Sequence, residues 1–325
     1  MVEAVAADPA HMVRRAAERF GLTPQAVNHQ IRRLSAQGVL RGEGKTRQRR
    51  YSLATLRRLR ADYPLSPGLA EDRAWQASLA PLLADLPENV VRIFRYGFTE
   101  TLNNAVEHSG GGSVRVSLEA SAAWITLTLT DDGVGVFARI REGFGLDDER
   151  HALLELSKGK LTTDPARHTG ESLYIVCRMF DEIVLRSGRV ALVRRRRTDD
   201  WTIEDGDAVK GTQVTLRLRP WADQTDREIL DRYAFGFRRT RVIVALAEGT
   251  TTGLVSRSEA RRVMARLDRF VEVVLDFKGV AAIGPAFADE VFRVYASTHA
   301  VKLIWVRANE DVQRMIRRAE SEPSD

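Results

Sequence analysis

The spacing of apolar positions divides the chain into blocks of different period. Near the N-terminus, Val27, Ile31 and Leu34 fall on one stripe, the repeat of an amphipathic helix. A preceding helix, a turn and the Gly-containing RGEGKTRQRRYSL segment after Leu40 predict helix, turn, helix, hairpin over residues 9–53. Residues 54–85 are expected to form a helical connector broken by Pro64 and Pro67. Val91, Phe94, Phe98, Leu102 and Ala105 then recur at helical spacing, TLTLTDDGVGVF alternates as a strand, and QVTLRLRP closes the block. Beyond residue 238, the runs TRVIVALA, VEVVLDF and VKLIWVR alternate with amphipathic helices near 257–268, 286–297 and 309–319. The expected architecture is multidomain α/β: a small helical module with a hairpin (1–60), a helical linker (61–85), an α/β sandwich (86–222) and a compact βαβαβα unit (238–320).

Composition agrees with several domains and restricts their setting. A chain of 325 residues is too long for one ordinary core. The single cysteine, Cys177, excludes an internal disulfide framework and fits a reducing compartment. No basic segment followed by an apolar core opens MVEAVAADPAH, and no apolar run reaches the length of a membrane span, so a cytoplasmic protein without membrane contact is expected. Charge is uneven. Residues 1–62 hold 13 Lys and Arg against 5 Asp and Glu, so all of the overall +6 lies in the first fifth and the rest is slightly acidic. A basic module on a near-neutral body points to a polyanionic partner.

Within that module, Thr23-Pro24 starts a helix with a hydroxyl cap and a proline in the first turn, where a missing N–H costs nothing. With Val27, Ile31 and Leu34 facing inward, Gln25, Asn28, His29, Arg32 and Arg33 are left toward solvent. Such side chains on a second helix are the type that reach base edges or phosphates. The hairpin carries Lys45, Arg47, Arg49 and Arg50, as a wing along a phosphate backbone requires. The segment resembles the winged-helix domains of bacterial transcription regulators. That resemblance implies DNA as partner and allows a homodimer, while contact with a protein through the same surface stays open.

The densest chemistry lies in FTETLNNAVEHSG, residues 98–110. Glu100 and Asn104 are one helical turn apart and share a face, with Asn103 and His108 nearby. A carboxamide oxygen can take one octahedral position on a magnesium ion whose other positions hold phosphates and waters. A carboxylate one turn earlier can orient or deprotonate attacking water. Asp131 ends a strand and can accept from an adenine amino group, while Gly133 and Gly135 let backbone approach the ring. His168-Thr169-Gly170-Glu171 precedes a helical run, and Gly211-Thr212 precedes the closing strand. These four blocks, in this order, resemble the N, G1, G2 and G3 boxes of the GHKL superfamily, which covers sensor histidine kinases, gyrase-type topoisomerases, heat-shock chaperones and anti-sigma-factor kinases. The resemblance implies ATP and Mg2+, with Asn104 on the metal, Asp131 on adenine, Gly133 and Gly135 beside the base, Gly170 under the phosphates, Thr212 in the adenine-side water network and Glu100 as general base. Asn103 and His108 belong to the same box without an assigned role. Ser172 departs from the pattern, standing where many relatives have a second glycine. Lys158 and Lys160 are expected either to reach phosphates or to form a solvated charge run.

The rest of the chain narrows the chemistry. No histidine occurs in residues 54–97, so the phosphoacceptor hairpin of a sensor histidine kinase is missing. Slow hydrolysis that switches domain arrangement, and transfer to a serine or threonine of a separate protein, both remain. The segment VVLDFKGVAAIGPAFADEVFRV resembles STAS-like domains, which implies a protein-binding or self-docking role. In anti-sigma antagonists of related fold a serine at the start of this helix accepts phosphate; here the loop reads Ile283-Gly284-Pro285-Ala286, with no hydroxyl. Asp289 and Glu290 are expected on a solvated face or in an intramolecular contact. Arg194–Arg197 are read as a second nucleic-acid contact or as the charged protection of an edge strand.

Overall fold

The computed structural model describes residues 12–44, 50–161, 170–234, 238–247 and 253–321. Lys45, Arg47 and Arg49, and likewise His168 and Thr169, lie outside the described residues. The chain begins with helices α1 (Met12–Phe20) and α2 (Pro24–Ala36), followed by the antiparallel pair β1 (Leu40–Glu43) and β2 (Arg50–Leu53). Thr23 caps α2 as its sequence requires, its Oγ1 accepting from the Ala26 amide at 3.2 Å. Met12, Ala16, Val27, Ile31 and Leu40 form a separate small core in this module.

Residues 57–64 correct the expected helical connector. Arg57–Pro64 is a strand, β3, and pairs antiparallel with β4 (Ser113–Ala120). Its sequence alternates, with Leu59, Ala61 and Tyr63 partly covered and Arg58, Arg60 and Asp62 exposed. Pro64 is tolerated because it ends an edge strand. The helical stretch α3 follows (Glu71–Ala74, a π-helical Trp75–Leu79, Ala80–Leu83) and buries Trp75 against Phe98, with ring centroids 5.9 Å apart. The sandwich therefore starts near residue 57, not 86, and the N-terminal module is mounted directly on its edge strand.

The central sheet has the order β3-β4-β5-β7-β6, antiparallel throughout, with β5 at Ile125–Asp131, β6 at Glu182–Arg195 and β7 at Asp200–Leu218. Across it lies α4 (Glu88–His108), which buries Val90, Ile93, Phe94, Phe98, Leu102 and Ala105. Gly97 permits this approach, since a Cβ there would meet the Phe180 ring at 2.6 Å. Helices α5 (Val136–Phe144), α6 (Glu149–Lys158) and α7 (Ser172–Met179) come from the loops between strands, and α8 (Asp226–Ala234) follows the sheet.

The C-terminal unit is a parallel sheet ordered β10-β9-β8 (Lys302–Val306, Glu272–Asp276, Arg239–Ile243). Around it pack α9 (Arg257–Met264), α10 (Pro285–Ala288, a π-helical Asp289–Tyr295, Ala296–Thr298) and α11 (Glu310–Ser321). Its buried residues are continuous with those of the sandwich. Polar ties reinforce the junction. Asp199 in the β6–β7 turn accepts from Arg178 at 3.0 Å, Arg194 at 3.2 Å and Arg241 of β8 at 2.7 Å, and Lys278 reaches Asp200 at 2.6 Å.

These contacts settle three charged groups left open above. Arg194 is 4% exposed and donates to the Cys177 carbonyl, while Arg195 pairs with Glu182 and Glu204. Both serve the β6–β7 hairpin, while Arg196 lies near Asp181 and Arg197 is exposed. Asp289 and Glu290 engage Arg257, Arg261 and Arg293 within the C-terminal unit. Lys158 is neither solvated nor aimed at a phosphate. It is 2% exposed, and its ammonium bonds Glu155 at 2.7 Å and the carbonyls of Arg262 and Ala265 at 3.1 and 3.0 Å.

Candidate nucleotide site

A cavity of about 390 Å3 opens between α4, the ends of β5 and β7, and the helices α5 to α7, within the usual range for a small-molecule site. Seven of the nine nucleotide-site positions singled out from the sequence line it: Glu100, Asn104, His108, Asp131, Gly135, Gly170 and Thr212. Asn103 and Gly133 do not, although Gly133 lies directly behind the wall.

Asp131 shows why the G1 and G3 segments must meet. Its Oδ1 accepts the Gly133 amide at 2.9 Å and the Thr212 amide at 3.2 Å, and the Thr212 hydroxyl in turn accepts the Val136 amide at 3.0 Å. Burial raises the Asp131 carboxyl above its ordinary value; the Gly133 and Thr212 bonds oppose that, and the neighbouring Asp132 charge adds to it. The glycines are sterically required. A Cβ on Gly133 would stand 2.2 Å from the Ser109 carbonyl oxygen, and one on Gly211, where φ is 71°, 2.3 Å from that of Asp131. Gly135, with φ 98°, leaves no room either, because a Cβ would meet Ser187 Oγ at 2.3 Å. Asp132 has a purely architectural task, accepting the amides of Gly112 and Ser113 at 2.8 and 2.9 Å.

On α4, Glu100 and Asn104 both face the cavity. Burial raises the Glu100 carboxyl, the Ser172 hydroxyl hydrogen-bonds it and pulls it back, and the charges of Glu107 and Glu71 push it up again. Among the described residues no group of three or more His, Cys, Asp and Glu side chains is gathered around one point. Asn104 presents a carboxamide oxygen to the same cavity. The lining fits the implied group: the Asp131 carboxylate for a base amino group, and the Asn104 carboxamide with the Glu100 carboxylate for a hydrated metal.

Sequence reasoning missed several lining residues. Thr101, Ser109 and Phe144 line it without a motif role of their own. Arg139 also lines the wall, its Nε donating to the His108 carbonyl at 3.0 Å. Its place one turn after Gly135 was the available signal. At the other end of the chain, Gln25, Asn28, Arg32, Arg33 and Arg50 are all exposed.

Fold and cavity together define an α/β-sandwich domain with a cavity of small-molecule size, joined to a small parallel α/β domain. Residues 90–221 match the family of histidine kinase-, DNA gyrase B-, and HSP90-like ATPases, and residues 259–313 match a STAS-like domain of unknown function. The chain thus contains a GHKL-type ATPase domain, which supports ATP binding, and a STAS-like domain. No curated protein matches the chain. Among the described residues no helix is long and apolar enough to cross a membrane.

Proposed function

We propose that this protein is a cytoplasmic, ATP-dependent DNA-binding regulator in which nucleotide occupancy alters the arrangement of its domains. The observation that carries the reading is the pairing of Glu100 with Asn104 on one face of α4, in the cavity that also presents Asp131. In this reading Asp131 accepts from the adenine amino group, and Gly135 lets the backbone lie flat against the ring. Asn104 holds Mg2+ against the phosphates, and Gly170, at the start of the α7 segment, faces them with backbone amide. Magnesium, when bound, neutralises charge on the phosphates. Glu100, raised by burial, takes the proton from attacking water and returns it slowly to solvent.

The N-terminal module supplies the DNA contact in this reading. Gln25, Asn28, Arg32 and Arg33 lie exposed along α2, and the hairpin residue Arg50 is exposed as well. A pair of such modules would address two half-sites. Each phosphate contact lowers log K by about 0.9 per tenfold rise in salt, so affinity that falls steeply with salt supports this surface, and a flat response refutes it.

Turnover of γ-labelled ATP, with and without duplex DNA, tests the whole proposal. Free labelled phosphate whose release rate responds to DNA is expected. Label on a protein serine or threonine would instead make the domain a kinase, the alternative that uses the same residues. Absence of any affinity for adenine nucleotides in the presence of magnesium would overturn both.

A further inference from the structure

From Ala152 onward helix α6 is buried on all sides: Ala152, Leu153, Leu154, Glu155, Leu156, Ser157 and Lys158 are each covered. A helix buried all round separates two bodies. On one side Leu156, with the neighbouring Phe144 and Leu161, lines the nucleotide cavity. On the other side lies the STAS-like domain, and its contact is polar and specific. The Lys158 ammonium, already paired with Glu155, plugs the carbonyl-lined end of α9 at Arg262 and Ala265. Thr240 Oγ1 of β8 donates to the Lys158 carbonyl at 2.6 Å, and Arg269 donates to the Lys160 carbonyl at 3.1 Å. The second oxygen of Glu155 receives Arg266 at 2.8 Å, and the same guanidinium lies 5.0 Å from the centroid of the Phe144 ring.

Two features mark this as a built contact. Arg266 adopts φ 60°, a left-handed conformation that is costly for a residue with a Cβ. That conformation delivers one side chain to both Glu155 and Phe144. Burial also pushes the Lys158 ammonium down to about 8, opposed by Glu155. An isolated lysine would not be placed there, and breaking one partner of such a pair is strongly destabilising.

We propose that the STAS-like domain is the cis-acting regulator of the nucleotide cavity: docked on the outer face of α6 through Arg266, Thr240 and the Arg262–Ala265 carbonyls, it holds the wall formed by Phe144, Leu156 and Leu161 in its nucleotide-retaining position. This assigns a function to a domain that carries no acceptor hydroxyl at Gly284–Ala286, and it rests on the nucleotide reading above. Because coupling between two sites is reciprocal, nucleotide must tighten the docking as much as docking tightens nucleotide. Anything that pulls the STAS-like domain away would then release the nucleotide.

Arg266→Ala and Lys158→Met in the full chain test the proposal. Dissociation of a fluorescent ATP analogue is followed by stopped flow, with Arg314→Ala on the far helix α11 as control. Dissociation on the order of tenfold faster is expected in both variants, with the control unchanged, in line with ordinary allosteric coupling. In the wild type, the same analogue should slow amide hydrogen exchange across 239–243 and 257–264. If circular dichroism shows that Lys158→Met does not fold, Thr240→Val joins Arg266→Ala, since it removes only the hydroxyl that donates to the Lys158 carbonyl. Wild-type dissociation rates in the folded variants, or exchange indifferent to nucleotide, would overturn the coupling while leaving the site intact. A wild type that binds no nucleotide removes the site reading, and the coupling falls with it.

Discussion

The backbone amide of Thr212 donates to Oδ1 of Asp131 at 3.2 Å across 81 residues of sequence, and the Gly133 amide meets the same oxygen at 2.9 Å. One oxygen thus fastens two glycine-bearing turns, and the residue also lines the cavity. Asp131→Asn separates these tasks. Its amide oxygen can still accept both backbone N–H groups, but an NH2 would replace the acceptor facing the base. Loss of a charge-assisted bond of about 1.5–3 kcal/mol predicts ATP binding weaker by about 10- to 150-fold. The melting temperature without nucleotide should hardly change. Calorimetric titration checks this, and unaltered affinity would remove Asp131 from base recognition.

Glu100→Gln should retain ATP and lose turnover, because a carboxamide cannot take a proton from water. The pH profile carries a sharper statement. Burial raises the Glu100 carboxyl above the ordinary carboxylate value, and a general base works only when ionised. Turnover must therefore fall as pH drops through that raised value, so the acid limb begins at higher pH than an exposed glutamate would give. In steady-state assays across pH, the residual activity of Glu100→Gln should lack this limb. A limb at the same pH in the variant would show that another group is the base.

Gly211→Ala tests the close approach beside Asp131. A methyl group would overlap the Asp131 backbone oxygen at 2.3 Å, and the residue would be locked at φ 71°. The left-handed conformation costs roughly 1–2 kcal/mol and the overlap about 1–3 more. A loss on the order of 3 kcal/mol in denaturant unfolding is expected, together with weakened ATP binding. Gly145 is a control: it is also left-handed at φ 60°, but nothing lies within 4 Å of a Cβ there. Its alanine variant should lose only the conformational part. Equal losses at both positions would mean that contact plays no role at Gly211.

The legible parts of the chain were those whose physics is local. Thr23-Pro24 caps a helix in any context, and the spacing of Glu100 and Asn104 fixes a common face wherever the helix lies. Asp131, Gly135 and Thr212 were singled out only together, because four blocks in order resemble the GHKL boxes; a glycine turn after one strand would have said little by itself. What escaped depended on partners distant in sequence. The alternation Leu59, Ala61, Tyr63 was visible in RRLRADYP, yet the nearby prolines favoured a connector; only pairing with Ser113–Ala120 makes it a strand. Lys158 was misread for a related reason. A lysine in LSKGK looks solvated until the Arg262 and Ala265 carbonyls close over it, and nothing in the local pattern announces a second domain at that point.

His151 makes a last prediction about acid stability. It lies on α6, and among the described residues neither buried ring nitrogen has a hydrogen-bond partner. Burial lowers its affinity for a proton; Glu155 opposes this, Arg262 and Lys158 add to it, and Asp148 opposes it. A base whose folded value lies below its unfolded value of about 6.5 binds more protons when unfolded. Stability is therefore lost as pH falls from about 6.5 through the lower folded value, and is unaffected by this group at higher pH. His151→Leu removes the titration while filling the site with an apolar side chain. Denaturant unfolding at pH 7.5 and 5.0 should show a smaller acid-induced loss in His151→Leu than in the wild type. Because the Arg262 charge from the STAS-like domain adds to the cost of protonating this imidazole, amide exchange at 257–264 should accelerate on acidification in the wild type and less so in the variant. Identical acid sensitivity in the two proteins would place the proton uptake elsewhere.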